Sequence, residues 1–310
     1  MFIGIDVGGT NLKAGLVEES GRLLAVERTP LDFQGAESFA ETTARLAETV
    51  ARKGGIPREK VQCVGMGLPG AVSGGDIVYT TNIPMRDVPI ADLFRRHWDV
   101  PVVLGNDADC AAVGEFFFGA GRGCQDAAVV TLGTGVGCGL ILGGKLRGGP
   151  ITSEAGHITI CHDGEVCNCG RRGCWEQYAS ATGLIRMTKA AMAAHPESLL
   201  CHLAAESGVE GRTAFQAAER GDETALAVCR EFVGYLADGI ISLANLLRPE
   251  VVVLGGGVAA APERLLLEPL RELVERESFA RHGGRATRVV RAELGNDAGI
   301  LGAALLQRVI

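Results

Sequence analysis

The chain has 310 residues, of which 47% are hydrophobic, 22% charged and 5% aromatic, enough to build about two domains and too apolar for long disordered tracts. Thirty Lys and Arg against 37 Asp and Glu leave a net charge of −7. That is the wrong sign for a chain that follows a phosphate backbone or an anionic membrane by charge, so neither nucleic acid nor membrane is an expected partner.

Met1 to Asp6 lacks a basic segment and meets a carboxylate before any signal-length apolar run, so no secretion signal and a cytoplasmic location are expected. Phe2–Val7, Lys13–Val17 and Leu23–Arg28 read as an antiparallel meander separated by the Gly8-Gly9 turn and by Glu19-Ser20-Gly21. Ala36 to Arg52 carries Phe39, Thr43, Leu46 and Val50 at helical spacing, with Gly54-Gly55 as its stop. Val61–Leu68 and Val102–Leu104 read as buried strands, and Asn106 to Phe118 as a helix, which implies parallel pairing through a crossover.

Gly119 to Gly123 marks a candidate domain boundary, after which Asp126–Leu132 and Val136–Leu142 start a second meander. The uncharged stretch from Ala127 to Gly144 has the length of a membrane span. Its six glycines favour strand, tight turn and strand. Asp222 caps a long helix whose stripe runs from Ala225 to Leu247 and stops at Pro249. Val251–Leu254 follows as a strand, then a helix over Pro262–Glu277, a strand over Arg288–Arg291 and a helix over Asp297–Arg308.

Asp6-Val7-Gly8-Gly9-Thr10-Asn11-Leu12-Lys13 lies at a strand-turn-strand junction where glycines let backbone N–H groups approach an anion. Gly133-Thr134-Gly135 repeats that chemistry in the second meander. Each is readable as an ordinary hairpin turn or as half of a polyphosphate clamp. The dinucleotide pattern fails at Cys138 and at Leu140, and the P-loop pattern fails at Leu146, so neither nucleotide fold of those types is expected.

Ten cysteines in a chain with no expected export signal belong to a reducing compartment, where thiols are free or metal-bound. Cys63, Cys110, Cys138 and Cys229 sit in apolar surroundings and read as core. His157, Cys167, Cys169 and Cys174 supply the donors of a closed Cys₃His zinc site, which favours a structural ion over metal-hydroxide catalysis. Glu154 and Glu176 flank that cluster, either as a polar binding wall or as solvated surface. Asn106-Asp107 ends a buried strand where ligands gather in parallel sheets, although either residue could serve only as a helix cap.

These segments resemble the ROK family of sugar kinases and repressors, on the actin-like ATPase fold shared with hexokinase. The resemblance rests on DVGGTNLK at the N-terminus, LGTGVGCGLILGGKLRGG, GND at Gly105–Asp107, and E-x-x-H followed by CNCGRRGCWE. It runs nearly end to end, with LGGGV at Leu254–Val258 in the place of the adenosine loop, which contributes Gly255, Gly256 and Gly257.

The resemblance implies an α/β protein of two ribonuclease H-like domains with a cleft between them. Their expected spans are 1–118 completed by 297–310, and 119–296 carrying the zinc segment. Asp107 would be the general base toward the sugar 6-hydroxyl. Asn82, Asn106, Glu154, His157 and Glu176 would bind ring hydroxyls. Asp6, Gly8, Gly9, Thr10, Asn11, Lys13, Gly133, Thr134 and Gly135 would hold ATP and Mg²⁺.

The expected activity is phosphorylation of a hexose, glucose first, with N-acetylglucosamine, N-acetylmannosamine, allose and fructose as alternatives. A sugar-sensing repressor is disfavoured, because Asp6 already lies in the first loop and leaves no room for a DNA-binding domain ahead of it. A homodimer or homotetramer is the family expectation.

Overall fold

In the computed structural model, residues 1–81, 83–148 and 153–309 are described. The chain divides into two compact units, one of residues 1–125, 139–153 and 293–310, the other of 126–138 and 154–292.

In the first unit β1 (Phe2–Val7) is buried along both faces except at Asp6, as suits a strand at the centre of a sheet. Around it lie β2 (Asn11–Val17), β3 (Leu23–Pro30), β4 (Cys63–Leu68) and β8 (Val102–Asn106), in the order β3-β2-β1-β4-β8. β1 is antiparallel to β2 and parallel to β4, which is parallel to β8. A small antiparallel sheet of β5 (Gly70–Ser73), β6 (Asp76–Thr80) and β7 (Arg86–Val88) follows β4.

The helices are α1 (Ala36–Lys53), α2 (Ile90–Arg95), α3 (Asp107–Phe118) and, at the end of the chain, α10 (Ala298–Leu305). α1 buries Phe39, Leu46 and Val50 on one stripe, with Glu37 in its first turn and Arg52 and Lys53 in its last, the signs the helix dipole favours. α10 is apolar throughout and its backbone lies against the sheet and α3. A Cβ at Gly65 would overlap the Ala303 carbonyl, and one at Gly302 the Cys110 carbonyl, so only glycine permits this approach.

The unit boundaries differ from those expected, for a local reason. The Gly119–Gly123 stretch folds back on α3, where the amides of Gly119 and Gly121 reach the Glu115 carbonyl at 3.0 and 2.9 Å. Buried Glu115 also accepts the amides of Ala120 (2.9 Å) and Leu294 (2.8 Å), tying α3 to the C-terminal segment. The later hairpin joins the same unit through Gly144 N to Gln125 O and Leu146 N to Val309 O.

β9 (Ala127–Leu132), in the second unit, turns into β10 (Val136–Leu142), whose last four residues and β11 (Lys145–Leu146) belong to the first. With β12 (Val251–Gly255) and β13 (Arg288–Arg291) the order is β11-β10-β9-β12-β13, and β12 is parallel to both β9 and β13. This is the order of the first sheet again: a three-stranded meander followed by two strands parallel to its first. The α/β fold with a repeated ribonuclease H-like topology is therefore as expected.

The helices here are α4 (Glu176–Ala179), α5 (Ala181–Ala194), α6 (Leu199–Ser207), α7 (Thr213–Glu219), α8 (Glu223–Leu247) and α9 (Leu267–Glu277). Asp222 caps α8 through the Ala225 amide at 2.7 Å and also accepts the Leu199 amide at 2.8 Å, joining the starts of α6 and α8. The helix expected over Pro262–Glu277 begins only at Leu267, because Pro269 lacks an N–H and its ring blocks a helical turn upstream. Likewise the helix expected over Asp297–Arg308 is α-helical only over Ala298–Leu305. Among the described residues, no helix is long and apolar enough to cross a membrane.

Candidate active site

In the first unit, the turn after β1 is exposed from Gly8 to Asn11. It is closed by Gly8 N to Asn11 O at 2.9 Å, and Thr10 O receives Leu31 N, also at 2.9 Å. Asp6 and Lys13 are direct partners in the β1–β2 register, so their side chains share a face. Burial raises the Asp6 carboxyl above its ordinary pKa, and the neighbouring Lys13 charge partly opposes this.

At the end of β8, Asn106 has extended backbone and caps α3. Its side-chain oxygen accepts the amides of Ala108 (2.8 Å) and Asp109 (3.4 Å), and its amide donates to Gly70 O at 3.1 Å. Buried Asn106 is thus largely committed to the fold, with one N–H left for a ligand. Asp107 is exposed at the first turn of α3, one oxygen accepting the Ala108 amide at 2.9 Å. Two roles were open for this pair, and the cap falls to Asn106. Asn82 lies outside the described residues.

In the second unit, the Gly133-Thr134-Gly135 turn is held by its carbonyls. Ala181 N donates to Gly133 O and the Thr182 hydroxyl to Thr134 O, each at 2.8 Å, so the start of α5 fixes the loop. Glu176 accepts the Val136 amide at 3.1 Å and packs so closely on Gly135 that any Cβ there would overlap its carboxylate. Glu176 is therefore partly buried against the loop and not simply solvated.

Gly256, with φ +84°, carries the third loop over the end of β9. A Cβ there would come within 2.5 Å of Leu132 O, which restricts the position to glycine. Beside these two loops opens a cavity of about 710 Å³ lined by Gly133, Thr134, Phe215, Val258, Ala261 and Pro262 among others. Phe215 on α7 and Pro262 carry no signal that separates them from core residues in the sequence.

The four metal donors converge. His157, Cys167, Cys169 and Cys174 place their ligand atoms within 4.8 Å of one another. Cys167 Sγ lies 3.6 Å from His157 Nδ1, and Cys169 Sγ lies 3.6 Å from Cys174 Sγ. A tetrahedron with Zn–S of about 2.3 Å has edges of roughly 3.8 Å, so the donor set fits zinc.

The thiols also differ in their surroundings. Burial pushes the Cys174 thiol up to about 12, with its sulfur neighbours adding to the effect, whereas the backbone at Arg171 lowers that of exposed Cys169. Nδ1 of His157 faces the sulfurs, and Nε2 stands 4.0 Å from a Glu154 carboxylate oxygen. Trp175 anchors the cluster: it is fully buried, donates to Tyr235 O at 2.9 Å and packs on Gly239 of α8.

The ROK family model matches residues 2–309. The chain belongs to the ROK family. It is similar to the glucokinase of Streptomyces coelicolor, with 36% identity over 99% of this chain and 98% of that one. The glucokinase of Thermotoga maritima is 37% identical over 98% and 96% of the two chains. A solved ROK glucokinase from Streptomyces griseus, in complex with glucose and AMPPNP, superposes with a TM-score of 0.80 at 38% identity, covering 98% of each chain.

Proposed function

We propose that this chain is an ATP-dependent hexose kinase that phosphorylates glucose at the 6-hydroxyl. The observation that carries the reading is at α3: Asn106 supplies the cap, so the exposed Asp107 carboxylate beside it is not needed for that purpose. A carboxylate at that place can accept the proton of an attacking hydroxyl, the main chemical task left to the protein in phosphoryl transfer.

Asn106, Glu154, His157 and Glu176 bind the ring hydroxyls, with Asn82 beside them. His157 suits this role, since the nitrogen that does not face the sulfurs is the one near Glu154. Gly8, Gly9, Thr10, Asn11, Lys13, Gly133, Thr134 and Gly135 hold the phosphates. The cavity lined by Phe215 and Val258 takes the nucleoside, with Gly255, Gly256 and Gly257 at its edge.

Asp6 suits Mg²⁺, because a buried carboxylate gains from a nearby cation, and bound Mg²⁺ neutralises phosphate charge. His157, Cys167, Cys169 and Cys174 hold a structural zinc, whose contribution is folding free energy. A cytoplasmic homodimer or homotetramer completes the reading.

A coupled ADP-release assay over glucose, N-acetylglucosamine, N-acetylmannosamine, allose and fructose tests it. The highest kcat/KM is expected for glucose. No ADP release with any of the five would overturn the kinase reading.

A further inference from the structure

The tripeptide Gly-Asn-Asp occurs twice, at Gly105–Asp107 and again at Gly295–Asp297, each time leading into a helix of the first unit. The two copies differ in use. Asn106 caps α3 through its side chain, whereas Asp297 precedes α10 without making any cap bond. The Asp297 carboxylate instead accepts the Lys13 ammonium at 2.6 Å, and the Asn296 carbonyl accepts the same ammonium at 2.8 Å.

Lys13 is 11% exposed, so its charge is largely withdrawn from water and needs fixed partners. Two of its three protons are used on the Asn296–Asp297 segment and one remains. The ammonium also shares a face with Asp6 at the mouth of the first loop. Gly299, in the first turn of α10, lies so close to Asp6 that a Cβ there would stand 3.1 Å from its carboxyl carbon.

We propose that Asp297 is a positioning residue for phosphoryl transfer, fixing the Lys13 ammonium beside the first loop so that it meets the phosphates of the nucleotide in a preset place. This rests on the kinase reading above. Asp297 acts through Lys13, whose ammonium it accepts at 2.6 Å, so its effect belongs to the nucleotide and not to the sugar.

A double-mutant cycle tests the proposal. Asp297→Asn keeps the size of the side chain and removes the charge. It is expected to raise KM for ATP or lower kcat by about tenfold, the scale of one charge-assisted contact, while KM for glucose stays within about twofold. Lys13→Met should give a loss at least as large, and adding Asp297→Asn to it should cost nothing more.

The proposal is overturned if Asp297→Asn leaves both constants within about twofold, if it moves the two KM values alike, or if its effect adds in full to that of Lys13→Met. Melting temperature checks that each protein is folded, and Lys13→Gln replaces Lys13→Met if that variant is not. AMPPNP binding by calorimetry on the same four proteins repeats the cycle without turnover. A wild-type chain that releases no ADP would refute the kinase reading, and the binding cycle would still decide the role of Asp297.

Discussion

Replacing Asp107 with Asn separates chemistry from stability at one atom. The Asn106 side chain, which holds two amides of the first turn of α3, is untouched, and an Asn oxygen at position 107 can still accept the Ala108 amide. The negative charge lost near a helix N-terminus is worth about 0.3–1 kcal/mol. Against a domain stability of about 5–15 kcal/mol this leaves the protein folded. Loss of a positioned proton acceptor, by contrast, lowers turnover about 10²–10⁴-fold, or roughly 3–5 kcal/mol in the barrier. Steady-state ADP release against glucose concentration, with a thermal melt of the same sample, reads both. The expected outcome is a collapsed kcat, an almost unchanged melting temperature and a KM for glucose within a few-fold. A variant with near-native kcat would refute Asp107 as the base.

Cys169→Ser, or chelation, should remove one zinc per chain, lower the melting temperature and weaken glucose binding, since the closed site contributes folding free energy; elemental analysis showing no zinc in fully active wild type would contradict this. Gly256→Ala combines φ +84° with a Cβ 2.5 Å from Leu132 O, so denaturant titration should show a loss of about 2 kcal/mol or more, along with weaker nucleotide binding. Partial burial raises the pKa of Asp222, but the amides of Ala225 and Leu199 and the Ser198 hydroxyl together outweigh it and hold the carboxyl below its ordinary value. Its contribution is therefore complete above the unfolded-state value of about 3.9 and is lost as pH falls through the lower folded one. Asp222→Ala should cost about 1–2 kcal/mol at neutral pH, and melts repeated at decreasing pH should show the gap to wild type closing in the acid range; a gap independent of pH would count against the assignment.

What was legible in the chain followed from contrast between neighbours. Both meanders were visible because apolar strands alternate with glycine turns, and the convergent His and Cys donors because cysteines crowd into a polar segment. β5 to β7 were not, since Arg86-Asp87-Val88 lacks an apolar pattern and pairs only because β6 lies beside it. α5, α6 and α7 were equally silent. Their small and apolar residues mark no clean stripe, and the same residue types that line the cavity at Phe215 fill the core elsewhere. The second Gly-Asn-Asp could be told from the first only through distant Lys13, which lies 284 residues from Asp297 in sequence. Gly119 to Gly123 had the composition of a linker, yet the Glu115 carbonyl and carboxylate fold it back onto α3.

The close packing of Gly135 on Glu176 binds two positions into one heritable trait. A side chain at 135 would displace the Glu176 carboxylate, the movable end of a flexible side chain, and shortening 176 alone releases the Val136 amide from its partner. Either change therefore acts on the same contact, the hold of the Glu176 carboxylate on the Val136 amide. A substitution at position 176 would thus act on the turn after β9 as well as on its own surroundings, and the two cannot be altered independently.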